Sequence, residues 1–311
     1  MTTNFRGLIG DTPLIEIDYQ LDGAKKKAFF KAEWYNLTGS IKDRVAKRVL
    51  LRAMKKMLKS GQPVVEVTSG NMGISLSAIC NLLQRKMVAI MPKYMSQERK
   101  ALLKSFGATV VESENFQHAF NLLEDCVKEG MFCPRQFENV ENKLCHKETT
   151  AKEIVRQTKG QIGCFVAGVG TAGTLMGVGE CLLEKVPKAQ LVAVEPSNSP
   201  LFSKGVSGKH QLQGLADEKI PLLYDKSIVD KVVSVNDQDA IAMSQKLAKT
   251  FGLGVGISSG ANFVAVVKNG VDNAVSIFAD DNKKYLTTSL ATPIETPLVD
   301  KIQLLNFKVI K

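Results

Sequence analysis

The sequence is poor in the residues that several classes of site require. Three histidines lie far apart, at positions 118, 146 and 210, and none of the six cysteines forms a Cys-x-x-Cys pair. Protein metal sites usually draw on closely spaced ligands of these types, so we expect no metal centre and reduced, mostly buried cysteines. One tryptophan and five tyrosines also leave few aromatic surfaces on which nucleic-acid bases would stack.

Long apolar runs are absent as well. No stretch reaches the roughly 20 residues that a membrane-spanning helix needs, and the first residues contain no apolar signal core. We therefore expect a cytoplasmic protein without membrane association. The net charge of +10 is dispersed in small clusters, which is weak evidence for nucleic acid and favours attraction of anionic substrates. A basic nucleic-acid-binding protein stays open as an alternative, and it predicts strongly salt-dependent association.

What the chain does contain is a regular alternation of short apolar runs and amphipathic helical patterns. The runs predict strands at residues 29–33, 63–67, 87–91, 108–111, 164–167, 191–195 and 274–279. The patterns predict helices at residues 40–59, 73–84, 96–106, 116–128, 173–184, 237–251 and 259–268. Continuously apolar strands separated by helices indicate parallel sheets covered on both faces. We expect an α/β protein of two lobes, each a mostly parallel twisted sheet flanked by helices, with a boundary near residues 140–150.

Lys42 stands where a short polar and glycine-bearing loop, residues 36–41, turns into a predicted helix. The positive end of a helix favours the neutral amine over the ammonium, and a neutral amine is the form that attacks an aldehyde. Taken alone, the segment is more typical of a solvated lysine at the start of an amphipathic helix. Three further loops of the same kind, described below, favour the imine-forming lysine over the solvated one.

Two of these loops follow predicted strands directly, where ligands bind in open parallel sheets. The loop at residues 68–73 combines hydroxyls, the Asn71 amide and the free N–H groups of a helix start, which suits a carboxylate. The loop at residues 168–174 lets backbone N–H groups converge on a phosphate. It also matches the dinucleotide pattern G-x-G-x-x-G, with Glu195 about 20 residues beyond it. An NAD-dependent dehydrogenase that uses Gly168–Gly173 and Glu195 is therefore an alternative.

A fourth loop, residues 256–261, opens another predicted helix. Its Ser259 is placed either to bond a ring nitrogen or to cap the helix, and capping is the commoner role for a serine there.

Together these segments resemble the fold-type II pyridoxal-phosphate enzymes, which share a tryptophan synthase β-subunit-like fold. Within them the chain resembles the cysteine synthases (O-acetylserine sulfhydrylases) and the cystathionine β-synthase family. The resemblance extends over nearly the whole chain, through residues 9–14, 36–44, 68–73, 91–99, 107–111, 136–139, 194–196 and 256–261. It implies pyridoxal 5'-phosphate as cofactor and a homodimer. It also implies a smaller mobile lobe at residues 40–145, which binds the substrate carboxylate, and a larger lobe at residues 1–39 plus 146–311.

The resemblance implies a role for each matching residue. Lys42 resembles the Schiff-base lysine that also shuttles a proton, Asn71 the partner of the cofactor's ring hydroxyl, and Ser259 the partner of its pyridine nitrogen. The substrate carboxylate site would comprise Thr68, Ser69, Met72 and Gln136. The phosphate cradle would comprise Gly170, Thr171, Ala172, Gly173 and Thr174.

The sequence also departs from the family's pattern. Met72 stands where threonine is usual and Ala172 where glycine is usual, and the loop at residues 213–219 carries Asp217 and Glu218 in place of a Gly-rich segment. We expect cysteine synthase activity, in which O-acetylserine or a similar amino acid reacts with sulfide. The alternative is a cysteine lyase that releases hydrogen sulfide and gives serine or pyruvate, with Asp217 assisting.

Overall fold

The computed structural model describes residues 7–68, 70–216 and 219–311. Within them the strands are β1 (Leu14–Leu21), β2 (Ala24–Ala32), β3 (Val64–Val67), β4 (Met87–Pro92), β5 (Thr109–Ser113), β6 (Cys164–Gly168), β7 (Gln190–Pro196), β8 (Lys231–Val235), β9 (Ala274–Phe278) and β10 (Gln303–Ile310). The helices are α1 (Lys42–Lys56), α2 (Asn71–Leu82), α3 (Gln97–Ser105), α4 (Phe116–Lys128), α5 (Val140–Glu148), α6 (Thr150–Gln157), α7 (Gly173–Lys185), α8 (Leu201–Lys204), α9 (Asp237–Phe251), α10 (Ile257–Asn269) and α11 (Pro297–Lys301).

The strands form two sheets, as an α/β architecture of two lobes requires. A seven-stranded sheet has the order β10-β1-β2-β9-β6-β7-β8, and a three-stranded sheet has the order β3-β4-β5. All pairs in the smaller sheet are parallel, as are those that link β2, β9, β6, β7 and β8 in the larger one. The antiparallel pairs are β1 with β2 and β1 with β10.

The central strands β6 and β9 are almost entirely apolar because helices cover both faces of the sheet. Strand β9 is buried throughout, and its Phe278 stacks on Phe30 of β2 with 4.3 Å between ring centroids. Phe30 also stacks on Phe263 of α10 at 4.8 Å, which packs this helix against the sheet. The start of α10 is thereby held beside the carboxyl end of β9.

The predicted strands and helices are found at the expected places, and the strands and α-helices that were not predicted are β1, β8, β10, α5, α6, α8 and α11. The β1–β2 hairpin turns at Asp22 and Gly23, both with positive φ. Strands β8 and β10 are the two edge strands of the larger sheet. The predicted division of the chain at residues 39/40 and 145/146 stays a prediction, and the second boundary falls inside α5.

Within the described ranges, no helix combines the length and the apolar character needed to cross a bilayer. Among the same residues, no group of three or more His, Cys, Asp or Glu side chains is arranged to hold a metal ion.

Candidate active site

A cavity lies where the starts of four helices meet the carboxyl ends of β6 and β9. Lys42 is the first residue of α1 and Asn71 the first of α2, while Gly173 begins α7 and Ser258 is the second residue of α10. The N-terminus of a helix carries a partial positive charge and free N–H groups, so this junction suits an anionic ligand. The lining residues are Ile41, Lys42, Asn71, Ala167, Gly168, Gly170, Thr171, Ala172, Thr174, Gln213, Gly214, Leu215, Ser258, Asn262, Ile277, Ala279 and Tyr285.

The position of Lys42 is fixed by its neighbours on both sides. The N–H of Ile41 donates to the carbonyl of Ala279 at 2.9 Å, which ties the helix start to the end of β9. The buried Asp43 accepts from the Thr38 N–H at 2.7 Å and from its hydroxyl at 2.6 Å, which closes the preceding loop. Lys42, itself half-buried, is therefore placed on the cavity wall by bonds along the chain around it.

Arg44 anchors the same helix turn to the larger lobe. Its guanidinium donates to Glu33 and to Glu153, each at 2.6 Å, and all three side chains are largely buried. Burial alone raises the pKa of Glu153, but Arg44 and Lys31 outweigh it and hold that pKa at about 2. A buried pair loses several kcal/mol when one partner is removed, on the order of 3–5 kcal/mol, so this network resists displacement of Lys42.

The loop at residues 168–174 needs its small residues for steric reasons. A Cβ at Gly170 would collide with the carbonyl oxygen of Gly214, and one at Gly173 would collide with the side chain of Asn142. Ala172 adopts the left-handed conformation with φ 64°, which costs a non-glycine residue about 1–2 kcal/mol. The result is a tight cradle at the start of α7, in which Thr171 and Thr174 face the cavity.

Two residues of α5 support this cradle from behind. The Asn142 amide donates to the Thr171 hydroxyl at 2.9 Å, and Nε2 of His146 lies 3.3 Å from the Thr174 hydroxyl. Burial lowers the pKa of His146 well below its ordinary value, and the charges of Lys42 and Arg44 lower it further. The Nδ1 atom of His146 lies 3.0 Å from the Thr150 hydroxyl. A neutral His146 therefore shares one ring N–H and one acceptor nitrogen between Thr174 and Thr150.

Of the residues predicted to bind the substrate carboxylate, the described ones are Thr68, Met72 and Gln136, and none of them lines this cavity, although Met72 directly follows the lining residue Asn71. The Thr68 hydroxyl accepts from the N–H groups of Gly70 and Gly73, both at 3.0 Å, and so shapes the loop before α2. Gln136 donates from Nε2 to the Val67 carbonyl at 3.1 Å. The Met72 side chain is buried in the core of the smaller lobe, which leaves only its backbone to meet a ligand.

Behind Gln136 stands a buried carboxyl that the sequence analysis did not single out. Glu66 of β3 accepts from the Val67 N–H at 3.1 Å and from the Gln136 N–H at 3.2 Å. Burial raises its pKa to about 7, although these N–H groups and Arg135 act in the opposite direction. Glu66 therefore connects the end of β3 to the loop that precedes α5.

At the start of α10 it is Ser258 that lines the cavity. Ser259 is fully buried, and its hydroxyl oxygen accepts from the Ala279 N–H at 3.0 Å. The predicted role of Ser259 at a pyridine nitrogen stays a prediction, and Ser258 is a second serine available for it. The sequence signal for Ser258 is its place beside Ser259 at the start of the helix.

Some predicted residues have other surroundings or cannot be placed. The carboxylate of Glu195 accepts from the Phe202 N–H at 2.8 Å and from the Ser234 hydroxyl at 3.0 Å, so it caps α8 instead of facing a ligand. Ser69, Asp217 and Glu218 lie outside the described residues. The stretch just before the last two, Gln213–Gly214–Leu215, lines the cavity.

The residues present fit pyridoxal phosphate on structural grounds. The cavity offers a primary amine at Lys42, a cradle for a phosphate at residues 170–174, and hydroxyl and amide groups at Ser258 and Asn71. The Asn71 Oδ1 atom is buried and has no hydrogen-bond partner among the described residues. Since buried polar atoms are nearly always paired, this oxygen is best explained by a ligand that bonds it.

The comparisons with known proteins agree with this chemistry. A family model described as pyridoxal-phosphate dependent enzyme matches residues 5–280. Cysteine synthase B of Campylobacter jejuni is 40% identical over 296 residues, which cover 91% of this chain and 96% of that protein. The hydrogen sulfide-producing enzyme of Fusobacterium nucleatum has a TM-score of 0.94 at 41% identity, over 98% of this chain and 97% of that one. Cysteine synthase of Entamoeba histolytica has a TM-score of 0.88 at 31% identity, over 97% of this chain and 94% of that one.

Proposed function

The chain belongs to the pyridoxal-phosphate dependent enzymes, and from that premise we propose that it is a cysteine synthase. The reaction would join a β-substituted L-amino acid, O-acetylserine or a similar one, to sulfide and give L-cysteine and the leaving group. The observation that carries the proposal is the amine of Lys42 at a junction of four helix starts, in a chain 40% identical to a cysteine synthase.

The cofactor, when bound, supplies an aldehyde that takes up primary amines and a conjugated ring that accepts electron density. Lys42 would hold the cofactor and, once displaced by the substrate amine, carry the α-proton on Nζ. Residues 170–174 would bind the phosphate through their N–H groups and through the hydroxyls of Thr171 and Thr174. Thr68, Ser69, the Met72 N–H and Gln136 would orient the substrate carboxylate, so that the α-proton faces Lys42.

The test is turnover of O-acetylserine and sulfide by the purified enzyme loaded with pyridoxal phosphate, with L-cysteine and acetate measured together. The Lys42→Ala variant should lose at least about a hundredfold in rate, since it removes both the cofactor link and the base. Borohydride reduction followed by mass spectrometry should place the reduced cofactor on the peptide that contains Lys42. A label on another lysine, or full turnover by the variant, would refute the assignment.

A second candidate function is release of hydrogen sulfide from L-cysteine, giving serine or pyruvate. It is favoured by the similarity to a hydrogen sulfide-producing enzyme and by the carboxylates that follow the cavity-lining stretch 213–215. In this proposal Asp217 activates the water or assists the departing group. The test is the rate of sulfide release from L-cysteine alone, measured for the wild type and for Asp217→Asn. An unchanged rate in the variant would exclude Asp217 from the reaction. Sulfide release faster than cysteine synthesis would make this second activity the main one.

We further propose that the enzyme is a cytoplasmic homodimer that binds neither nucleic acid nor membrane, and that the lobe at residues 40–145 moves. The dimer and the mobile lobe are proposed from the resemblance to the cysteine synthases. Light scattering of the holoenzyme tests the dimer, and a monomer at micromolar concentration would exclude it. Small-angle scattering with and without the amino-acid substrate tests the lobe movement.

A further inference from the structure

His146 of α5 is a buried histidine that lies behind the loop at residues 168–174, with only 1% of its surface exposed. One ring nitrogen, Nε2, lies 3.3 Å from the hydroxyl of Thr174. The other, Nδ1, lies 3.0 Å from the hydroxyl of the fully buried Thr150. Thr174 is the second residue of α7 and lines the cavity. The ring therefore connects a cavity-lining hydroxyl to a hydroxyl in the protein interior.

Close packing of α5 against α7 fixes the position of this ring. A Cβ at Gly177 would lie 2.8 Å from the Cβ of His146 and 2.3 Å from the carbonyl oxygen of Lys143, so the two helices can approach this closely only at a glycine. Buried polar atoms in proteins are nearly always paired. Each ring nitrogen of His146 therefore has the neighbouring threonine hydroxyl as its hydrogen-bond partner.

The ring is neutral, so one of its nitrogens donates and the other accepts. Burial lowers the pKa of His146 well below its ordinary value, and the charges of Lys42 and Arg44 lower it further, while Glu153 acts in the opposite direction. With the proton on Nδ1, Nε2 would accept from the Thr174 hydroxyl, which would then offer only lone pairs to a ligand. With the proton on Nε2, the ring donates to Thr174 and the hydrogen of that hydroxyl is available to a ligand.

We propose that His146 is a positioning residue for the cofactor phosphate, which donates from Nε2 to the Thr174 hydroxyl and so directs the hydrogen of that hydroxyl into the cavity. A phosphate dianion only accepts hydrogen bonds, so it is bound by a hydroxyl that donates and repelled by one that offers lone pairs. The Thr150 hydroxyl completes the arrangement by donating to Nδ1. The inference rests on the proposed binding of the phosphate at residues 170–174 and holds whichever amino acid is the substrate.

Nitrogen NMR of the ring tests the assignment in the wild-type protein. The chain has three histidines, at positions 118, 146 and 210, so labelling with ¹⁵N-histidine gives ring signals from these residues alone. The His146→Gln variant identifies the signals of His146, and the couplings between ring nitrogens and ring protons show which nitrogen carries the proton. In the enzyme loaded with pyridoxal phosphate we expect the proton on Nε2. A proton on Nδ1 alone overturns the proposal.

Equilibrium titration of the apoenzyme measures the effect on the phosphate. The amide nitrogen of glutamine can replace Nε2, whereas that of asparagine replaces Nδ1 and does not reach Thr174. His146→Asn should therefore bind pyridoxal phosphate about tenfold to a hundredfold more weakly, and His146→Gln only about threefold more weakly. Both variants should bind pyridoxal, which lacks the phosphate, within about twofold of wild type, as should the exposed control His118→Gln for both ligands. Equal losses for the two ligands in His146→Asn refute the proposal.

A Thr174→Val variant separates failure of this inference from failure of the phosphate cradle. It should weaken binding of pyridoxal phosphate about tenfold, and in its background His146→Asn should add less than about threefold, because the hydroxyl through which His146 acts is gone. Unchanged affinity of Thr174→Val would refute phosphate binding by that hydroxyl and the inference with it. A full effect of His146→Asn without the hydroxyl would refute the inference alone. These measurements need no turnover, so cysteine synthesis is tested separately.

Discussion

The side-chain amide of Asn142 donates a hydrogen bond to the hydroxyl of Thr171, over 2.9 Å. The same Nδ2 atom also donates to the carbonyl of Gln136 at 2.9 Å. One buried amide thus connects the loop predicted to bind the cofactor phosphate with the loop predicted to bind the substrate carboxylate. Because both loops accept a hydrogen bond from the same Nδ2 atom of Asn142, a shift of one loop would alter the position of the other.

Asn142→Ala should therefore weaken both cofactor binding and substrate binding. Loss of the two bonds leaves a buried carbonyl and a hydroxyl without their donor, at a cost of about 1–3 kcal/mol. We expect cofactor affinity to fall roughly tenfold and KM for the amino acid to rise, with a smaller change in kcat. The measurements are apoenzyme titration and steady-state kinetics at saturating cofactor. A change in cofactor affinity with KM unaltered would show that the two loops are independent.

Ser258→Ala and Ser259→Ala should behave differently although the residues are adjacent. Ser259 is buried and accepts from the Ala279 N–H, so its loss should lower the free energy of unfolding by about 1–3 kcal/mol. Ser258 lines the cavity, so Ser258→Ala should alter the absorbance spectrum of the bound cofactor and reduce turnover while the apoenzyme keeps its melting temperature. Denaturant unfolding and spectra of both variants provide the comparison. The reverse pattern would assign the ligand contact to Ser259.

Glu66 should make stability depend on pH near neutrality. Its pKa in the folded protein is raised to about 7, above the ordinary value of 4.5. A carboxyl with a raised folded pKa contributes fully below its unfolded pKa, and the contribution is lost as pH rises from about 4.5 through 7. One pKa unit corresponds to about 1.4 kcal/mol, so the loss should amount to a few kcal/mol at most.

The control for this prediction is Glu66→Gln, which removes the titration but retains one carbonyl acceptor. Between pH 5 and 8 the wild type should lose stability relative to the variant, measured by urea unfolding of the apoenzyme. KM for the amino acid should change in the same pH range, because ionisation of Glu66 strengthens the hydrogen bond that it accepts from the Gln136 N–H. Parallel stability curves for the two proteins would mean that Glu66 does not titrate there.

Much of the fold could be predicted because burial on both faces produces continuous apolar runs. The strands Met87–Pro92 and Cys164–Gly168 are of this kind. The first half of β2 was missed because Lys25, Lys26 and Lys27 occupy it and lie towards solvent. Strand β10 was missed although Leu305, Phe307 and Val309 alternate along it, and most of its residues are exposed at the edge of the sheet.

Site residues could be predicted from the sequence only where a short segment around them indicates their role. Lys42, Asn71 and the loop at residues 168–174 each begin a helix after a polar or glycine-bearing segment, and the structure lines one cavity with them. Tyr285 carries no such local signal. It follows β9 and reaches the site through the parallel pairing of that strand with β2 and β6, a tertiary relationship that no short pattern encodes. Asn142 and His146 did have a signal, since a spacing of four places them on one face of α5.

The last prediction concerns Ala172, at a position where the resemblance to the cysteine synthases implies glycine. Its φ of 64° is left-handed, and this conformation costs alanine about 1–2 kcal/mol that glycine does not incur. Ala172→Gly should therefore stabilise the apoenzyme, or leave it unchanged once the greater freedom of the unfolded glycine is counted, and it should keep cofactor affinity.

Gly170→Ala is the matched opposite change in the same loop. Its added methyl would meet the Gly214 carbonyl oxygen, so the cradle would have to open. We expect this variant to lose cofactor affinity by tenfold or more while Ala172→Gly retains it, in titrations carried out side by side. Equal affinities for the two variants would mean that the backbone of this loop does not bind the phosphate, because a displaced cradle could not hold its N–H groups in place.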